Sequence, residues 1–503
     1  MKFFIAFFLC LNAWIAPVSE AAVRSRLEDQ VVRLLVTKRE VDHSAPWQNE
    51  DVTQQAFLAV VLPAGELLTT AYAVADAAFL EIQRFGSSHR DEAELIFVDY
   101  EADLALVRPV LPKVLLGMKP LPLGEDLPLD AHVDIYKVRD AYQLSYVPGT
   151  VQEVGVVMAA TSAYTMMSYN LKVQQTGLGW AEPILANGKL VALTTGQDQN
   201  FLRAIPVSMI KHFLNDRHDQ NYRGFPALGV ELAPLTSPDL RRMLHAGEGE
   251  QGVRVADVFA GDAASVGASI SGASTGEGKL QIDDVILSID DQPVSDQGYV
   301  SHPLWGKVPL RLLLNQHFGG DALRLKILRQ GRELSLVVNL TRFDSNKSPV
   351  FAYRYDQAEP HLIFGGFVFQ ELSQDYLRQW GKDWRDIAPI DLLYLFNSQN
   401  RPTVDGSQRI VFISRVLADP MNRGYSDIRH KRVATFNGKE VTSLASLRAL
   451  LKSPVISDGV PYSRIKLGPE GDEVIIDHQN LNAAHSRIAK TYEIKSPASF
   501  FTP

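Results

Sequence analysis

Twelve histidines and one cysteine, Cys10, are the candidates for imidazole or thiolate chemistry in this 503-residue chain. No histidine pair has the His-Glu-x-x-His spacing that binds zinc from one helix face. His212 and His218 are near in sequence, and we interpret both as surface residues of a helix and a linker. Residues 272–278 are rich in glycine, but they resemble a flexible loop rather than a phosphate-binding turn. The sequence therefore predicts neither a metal nor a cofactor.

Composition places the chain among ordinary globular proteins. Hydrophobic residues make up 46% of it and charged residues 21%, and the formal net charge is −8. No basic stripe or long charge run is present, so nucleic acid is excluded as an expected partner. The length is sufficient for two to four domains.

The first residues have the pattern of a targeting segment. Lys2 precedes a largely apolar run over residues 3–16, and residues 19–21 offer a small–x–small cleavage signal. We predict a signal peptide over residues 1–21; a retained signal anchor is the alternative. Cleavage would remove Cys10 and leave a mature chain without disulfides. Such a chain is expected to be secreted across the inner membrane into the periplasm or cell envelope, with no membrane span after signal removal.

The region from about residue 28 to 205 reads as β structure. Short runs rich in valine, isoleucine and leucine recur between turn signals, which is typical of a sandwich or barrel. These runs lie at residues 31–36, 56–62, 79–83, 95–98, 104–107, 133–138, 151–157 and 189–194. A helix is predicted over residues 206–214, with Pro206 in its first turn.

The second half contains two related units. Residues 280–294 predict two strands separated by a turn, and residues 432–441 repeat this pattern around an Asn-Gly turn. A hairpin is predicted over residues 322–340, and a helix capped by a serine over residues 443–451. The repeat indicates two copies of one α+β module.

This order of segments resembles the HtrA/Deg family, over nearly the whole mature chain. Four stretches carry the resemblance, at residues 67–77, 103–107, 204–207 and 280–294. Three later stretches are most similar to plant Deg proteases, at residues 364–369, 416–425 and 431–441. The resemblance implies a mainly β protein, a chymotrypsin-like double β-barrel followed by two PDZ (α+β) domains. The expected boundaries are 28–215 for the trypsin-like domain, 224–342 for the first PDZ domain and 360–495 for the second PDZ-like domain.

The family works by a Ser-His-Asp triad, and the resemblance places those three positions here at Trp180, Tyr72 and Asp103. A phenol with a pKa near 10 is a poor base at neutral pH, and tryptophan has no nucleophile. We expect Tyr72 to pack its ring where the histidine would lie, and Asp103 to accept a hydrogen bond from the Tyr72 hydroxyl or to serve as a structural carboxylate. If the alignment slips, Thr176 is the nearest hydroxyl.

The loop that would hold the oxyanion is also altered, because Ala181 and Glu182 stand where the family has glycines. Two function hypotheses follow. The first is a pseudoprotease that binds carboxyl-terminal or unfolded peptide segments as a scaffold, chaperone-like or regulatory protein in protein quality control. The alternative is an active serine endopeptidase with a non-standard catalytic set.

Peptide binding is expected in the first PDZ domain, at Leu228, Gly229 and Val230, by addition of a strand. In the second unit, residues 364–369 occupy the equivalent place, and packing of this run on a neighbouring domain is the alternative to ligand binding. The family resemblance also implies a homotrimer or a multiple of it.

Overall fold

A computed structural model describes residues 27–48, 51–140, 143–198, 201–218, 221–247, 249, 251–259, 279–344, 347–381, 383–399, 408–468 and 471–500. The predicted signal peptide and the glycine-rich loop at residues 272–278 lie outside these ranges. In the part of the chain that is described, no helix is long and apolar enough to cross a membrane.

Residues 31–109 form a closed barrel of six antiparallel strands in the order β1-β2-β3-β6-β5-β4. A one-turn helix, α1 (Ala71–Val74), connects β3 to β4. The strands are β1 (Val31–Lys38), β2 (Thr53–Val61), β3 (Leu67–Thr69), β4 (Ala77–Arg84), β5 (Asp91–Asp99) and β6 (Leu104–Pro109). Valine, leucine and isoleucine side chains of these strands fill the barrel, which explains the predicted apolar runs.

A second closed barrel follows, in the order β10-β11-β12-β9-β8-β7. Its strands are β7 (His132–Asp140), β8 (Gln143–Met158), β9 (Thr165–Val173), β10 (Trp180–Ala186), β11 (Lys189–Asp198) and β12 (Phe201–Pro206). Helix α2 (Val207–His218) closes the domain where a helix was predicted. The predicted double β-barrel is confirmed, whereas β9, β10 and β12 had not been recognised as strands.

The first PDZ unit contains a sheet in the order β14-β15-β16-β20-β21, with β17 paired to β16. Its strands are β13 (Pro226–Ala227), β14 (Val230–Ala233), β15 (Val253–Val258), β16 (Val285–Ile289), β17 (Gln292–Pro293), β18 (Tyr299–His302), β19 (Gly306–Pro309), β20 (Ala322–Arg329), β21 (Arg332–Asn339) and β22 (Thr341–Arg342). Two short helices, α3 (Pro238–Met243) and α4 (Arg311–Leu314), accompany the sheet. The predicted hairpin is present as β20 and β21.

The second unit has the same central sheet, in the order β23-β24-β25-β26-β29-β28, with β27 and β30 added to β26 and β29. Its strands are β23 (His361–Phe364), β24 (Phe367–Glu371), β25 (Val411–Val416), β26 (Lys431–Phe436), β27 (Lys439–Glu440), β28 (Val455–Ser457), β29 (Val460–Leu467) and β30 (Asp472–Asp477). Its helices are α5 (Gln374–Arg378), α6 (Trp384–Ile387), α7 (Ile390–Gln399), α8 (Leu444–Leu450) and α9 (Leu481–Thr491). Ser443 caps α8 in a capping box, as its sequence predicted.

Neutral hydrogen bonds join the first PDZ unit to the second barrel. The buried Asn315 donates to the Tyr164 hydroxyl at 2.7 Å and accepts from the Met167 N–H at 3.0 Å. The Trp305 indole donates to the Leu127 carbonyl at 2.8 Å. Because one hydrophobic core runs continuously from the second barrel into this unit, the two are packed as one body.

Charged and aromatic groups join the second PDZ unit to the first barrel. Asp76 and Asp356 exchange backbone-to-carboxylate hydrogen bonds at 3.0 and 2.9 Å, and the Tyr100 hydroxyl donates to Asp356 at 2.6 Å. Tyr100 also stacks on Tyr355, with centroids 4.2 Å apart. The second unit therefore lies against the face of the barrel that carries α1.

The prediction that His212 is a surface residue is wrong. Its ring is buried between Phe225 and Phe318, with centroid distances of 4.3 and 3.8 Å. Burial lowers the pKa of His212 to about 4, so the ring is neutral at physiological pH. Its role is to pack helix α2 against the first PDZ unit.

Candidate functional site

Tyr72 and Asp103 meet beside helix α1. Asp103 immediately precedes β6, is buried, and has a left-handed φ of +51°. Its Oδ1 accepts a hydrogen bond of 2.8 Å from the backbone N–H of Tyr72. The hydrogen bond to Asp103 therefore comes from the backbone of Tyr72 and not, as expected, from its hydroxyl. Asp103 thus serves as a structural carboxylate that holds the turn of α1.

The Tyr72 ring stacks on Trp180, with centroids 4.0 Å apart and planes inclined by 19°. Phe57 adds an edge contact at 6.4 Å. A Cβ at Gly196 would come within 3.1 Å of the Trp180 ring, so the backbone at Gly196 lies close against the indole. The three predicted positions thus lie together, and two aromatic rings fill the space between the barrels.

Lys38 covers the outer face of this aromatic pair. Its ammonium donates to the Tyr72 carbonyl at 2.8 Å and lies 4.8 Å from the centre of the Tyr72 ring. Burial lowers the pKa of Lys38, although Glu40 and other carboxylates act in the opposite direction. A cation above an aromatic ring is an attractive arrangement, and here it fixes the tyrosine against the tryptophan.

The protonation states of the side chains in the site make Tyr72 a poor proton acceptor. Burial raises the pKa of Tyr72 above its usual value, so the side chain remains a phenol at neutral pH. Burial also raises the pKa of Asp103 to about 7, while the Tyr72 N–H and Lys38 act against it. Asp103 therefore has a substantial neutral fraction near pH 7.

Side chains of β11 hold the loop that precedes Trp180. The Leu178 N–H donates to Gln197 Oε1 at 3.0 Å, and Gln197 Nε2 donates to the Gln175 carbonyl at 2.8 Å. The Glu182 N–H donates to Thr194 Oγ1 at 2.9 Å. Since these backbone donors are engaged within the protein, the Leu178 N–H is not directed at a substrate oxygen.

Hydroxyl–imidazole pairs do occur elsewhere in the described ranges, far from Asp103 in sequence. They are Ser463 with His478 at 2.7 Å, Ser499 with His361 at 2.9 Å, and Thr150 with His132 at 3.3 Å. Ser463 and Ser499 are buried, and the Thr150 pair is exposed on the barrel surface. Thr176, the alternative nucleophile, is exposed on the loop before Trp180.

No group of three or more histidine, cysteine, aspartate or glutamate side chains among the described residues is arranged to hold a metal ion.

A cavity of about 390 Å³ opens beside Trp180. The second barrel supplies one part of its wall, including Met158, Met166 and Ile205. The second PDZ unit supplies Arg378 from α5 and Arg385 from α6. The space beside the aromatic pair is therefore bounded by two domains.

The predicted peptide groove of the first PDZ unit lies along β14. Leu228 and Val230 are buried, and Gly229 between them has a φ of +75°, which favours glycine. A cavity of about 240 Å³ at this place is also lined by Leu310 and Arg311. Among the described strands, β14 pairs only with β15, so its outer edge is available for hydrogen bonding.

The corresponding edge in the second unit is already paired. Strand β24 has β25 on one side and β23 on the other, with Phe364 opposite Phe367. Phe364, Phe367 and Phe369 are fully buried in the core of their own unit. The alternative that this run packs on a neighbouring domain is therefore wrong, and β23 lies where an added peptide strand would bind.

Two closed barrels followed by two PDZ sheets define a trypsin-like domain with carboxyl-terminal PDZ domains. The family model described as PDZ domain matches residues 350–500. Protease Do-like 2, chloroplastic, of Arabidopsis thaliana is 26% identical over 432 residues, covering 84% of this chain and 67% of that protein. Protease Do-like 4, mitochondrial, of the same plant is 24% identical over 457 residues, covering 90% of this chain and 81% of that protein.

Among solved structures, the HtrA-type protease AlgW with decapeptide is 21% identical and has a TM-score of 0.47, covering 65% of this chain and 99% of that one. These matches along the sequence, to two Do-like proteases and to the PDZ family model, support the assignment of the chain to the HtrA/Deg family.

Sequence reasoning missed the residues that other segments bring to the site. Lys38, Gln197 and the arginines of the second PDZ unit have no motif of their own. Arg378 lies more than 190 positions after Trp180 in the sequence. Only a sequence pattern that relates positions far apart in the chain could have revealed these residues.

Proposed function

We propose that this chain is a non-catalytic member of its family that binds carboxyl-terminal or unfolded peptide segments of other proteins. The observation that carries this proposal is the stack of Tyr72 on Trp180 at 4.0 Å, directly above Asp103. An acyl-transfer site needs a nucleophile, a base and room for the scissile carbonyl. Here two aromatic side chains take up the first two places and the space between them.

The loop before Trp180 supports the same proposal. Stabilising an oxyanion requires backbone donors aimed at the developing charge, and the Leu178 N–H is already bonded to Gln197. In triad proteases, loss of the serine or the histidine alone lowers turnover about a millionfold. A chain that lacks both, with this donor engaged, is expected to have no measurable peptidase activity.

Peptide binding is supported by the first PDZ groove. The unpaired edge of β14 offers backbone groups to an extended peptide, and Leu228, Val230 and Leu310 line an apolar recess for its last side chain. Arg311 at the rim supplies a positive charge for a terminal carboxylate. The occupied edge of β24 favours the first unit over the second as the peptide site.

We further propose that the protein acts in the periplasm or cell envelope, as a homotrimer or a multiple of it. The apolar run before residue 21 supports export, whereas the two plant relatives described above are named as chloroplastic and mitochondrial. Fractionation of the source cells would test the location. Light scattering of the purified protein would test the oligomeric state.

The alternative function, an active serine endopeptidase, would need one of the other hydroxyls as nucleophile. Ser499 is the most suggestive, because His361 bonds its hydroxyl with one ring nitrogen and the Glu359 carbonyl with the other. Ser499 is only 3% exposed, so a substrate would have no access to it without a rearrangement. This pair is therefore a control in the activity test.

The test compares purified mature protein with the Tyr72→His, Trp180→Ser double variant. Both are incubated with unfolded casein and with a fluorophosphonate serine probe. We expect no cleavage and no labelling of the native protein, together with retention of casein or of a peptide with a free carboxyl terminus. Labelling of the native protein that disappears in Ser499→Ala or Thr176→Ala would establish the endopeptidase alternative instead.

A further inference from the structure

The cavity beside Trp180 contains more positive than negative groups. Arg203, Arg378 and Arg385 line it, together with the carboxyl groups of Asp103 and Asp198. Asp103 is buried and only partly ionised near pH 7, and Asp198 is exposed at the rim. The charge that faces the cavity is therefore net positive.

None of the three arginines forms an ion pair or a hydrogen bond to an acidic group in the described residues. Arg378 lies over the Tyr353 ring at 4.4 Å, and Arg385 lies over the Trp384 ring at 4.2 Å. The guanidinium groups themselves lie on these aromatic faces, and they line the cavity without a carboxylate partner in the described residues. Arginine is the side chain best suited to bind a carboxylate through two parallel hydrogen bonds.

The arginines also act on one another. Burial, and then the charge of Arg385, lowers the pKa of Arg378 to about 10. Two like charges close together are mutually destabilising, and an anion between them would relieve the repulsion. The apolar wall beside them, which includes Met158 in contact with Arg385 at 3.8 Å, favours a ligand with carbon atoms next to its charge.

The cavity is assembled by two domains. Arg203 belongs to β12 of the second barrel, whereas Arg378 and Arg385 belong to α5 and α6 of the second PDZ unit. A volume of about 390 Å³ is within the range of pockets that hold a small ligand or one or two side chains. The site therefore exists only while the second unit lies against the barrels.

We propose that this cavity binds the carboxylate of an acidic side chain in a peptide segment, with Arg378, Arg385 and Arg203 as its ligands. The methylene groups of a glutamate would lie on Met158 and Ile205, and the carboxylate would reach the guanidinium groups. Inorganic phosphate has the charge but not the apolar stem. This binding site is separate from the groove along β14, and it does not depend on whether the chain cleaves peptides.

The test uses two fluorescent hexapeptides that differ only by Glu or Gln at one central position. Both carry an acetylated amino end and an amidated carboxyl end, so neither presents a terminal carboxylate to a PDZ groove. Binding to the full mature chain is measured by fluorescence anisotropy, and mass spectrometry verifies that the peptides remain intact. We expect the Glu peptide to bind at least tenfold more tightly than the Gln peptide.

Variants then assign the difference to the cavity. Arg378→Gln and Arg385→Gln are each expected to reduce the preference for Glu to less than threefold, because each removes one guanidinium group that would bind the carboxylate. Arg423→Gln, an exposed arginine of the same unit outside the cavity, is the matched control. Thermal unfolding verifies that all variants are folded.

Equal affinity for the two peptides would overturn the proposal, as would an unchanged preference in both cavity variants. The last measurement is a competition of inorganic phosphate with the Glu peptide. If phosphate displaces the Glu peptide at concentrations below the dissociation constant of that peptide, the cavity is a phosphate site and the peptide assignment is wrong.

Discussion

The two PDZ units share one strand order, but they differ along the edge where a peptide would add. In the first unit β14 pairs only with β15 among the described strands, and a cavity of about 240 Å³ lies beside it. In the second unit β23 pairs with the equivalent strand β24 through four residue pairs. A groove that is filled by its own chain contributes to the core, whereas an open one is available for a ligand.

The units also differ in how they meet the barrels. Neutral hydrogen bonds from Asn315 and Trp305 hold the first unit. The second is held in part by the ion pair of His43 with Glu359 at 3.5 Å, and Asp375 lines the cavity beside this pair. The comparison therefore separates a unit that is docked in part through neutral hydrogen bonds from one whose docking contacts include an ion pair that titrates.

The largest effect is expected from emptying the filled groove. Phe364→Ala removes a fully buried ring from β23 and should lower the free energy of unfolding by about 3–5 kcal/mol. Urea denaturation followed by circular dichroism measures the loss. Ile475→Ala, which alters an exposed residue of the same unit, is the control. A loss below about 1 kcal/mol would mean that β23 is not a core strand.

A pair of glycine substitutions sharpens the contrast at the turns before the two equivalent strands, β14 and β24. Gly366→Ala should cost about 2–4 kcal/mol, because φ is +89° and the new Cβ would come within 2.2 Å of the Asn422 amide. Gly229→Ala should cost only about 1 kcal/mol for its left-handed backbone. Thermal unfolding gives both values, and equal losses would contradict the comparison.

Gly229→Ala should nevertheless weaken peptide binding, whereas Gly366→Ala should not. The ligand is a hexapeptide that ends in valine with a free carboxyl group, and the amidated form is the control. Isothermal titration measures both. If the second unit were the peptide site, the two variants would exchange their effects.

The pH dependence of stability follows from Asp375. Burial raises the pKa of Asp375 to about 7, well above the value near 4 of an unfolded chain. Proton binding thus favours the folded state, so this stability is fully present below about pH 4 and is lost as the pH rises through about 7. His43 acts in the same direction: burial lowers its pKa, but Glu359 outweighs burial and raises it overall.

We therefore expect the native protein to lose on the order of 1–3 kcal/mol of stability between pH 5 and pH 8.5. Asp375→Asn should reduce this dependence without abolishing it, since an amide resembles the neutral carboxyl and the pKa of Asp103 is also raised to about 7. Asn315→Ala should destabilise the protein equally at pH 5 and at pH 8.5. Thermal unfolding across the pH range tests this, and a native protein that gains stability on going to pH 8.5 would show the sign to be wrong.

The smallest effect concerns the rim of the open groove. Arg311→Gln removes one exposed positive charge beside the place of a terminal carboxylate and should weaken binding about three- to tenfold, that is, by no more than about 1.4 kcal/mol. The loss should diminish in high salt. Arg332→Gln, an exposed change on β21, should leave affinity unchanged. An Arg311 effect that persists in high salt would indicate a role other than charge.

Local patterns were sufficient to predict much of the barrel and PDZ architecture. Valine-rich runs predicted most strands of the first barrel, and Ser443 predicted the start of α8. Strand β10 was missed because it begins at Trp180 and contains Glu182 and Pro183, which do not form an apolar run. His212 was misjudged because one histidine on a helix carries no sign of the phenylalanines that bury it.

The sequence by itself determined which side chains stand at the three predicted site positions, since identity at a position does not depend on folding. Tyr72 and Trp180 can supply neither imidazole nor serine hydroxyl in any conformation. Tertiary structure decided that they stack, that β23 fills one groove, and that Arg378 and Arg385 face the same cavity as Arg203. These contacts join segments as far apart as the 280 residues between Asp76 and Asp356. Only packing of whole domains can create such contacts, because neither propensity nor periodicity extends beyond one element.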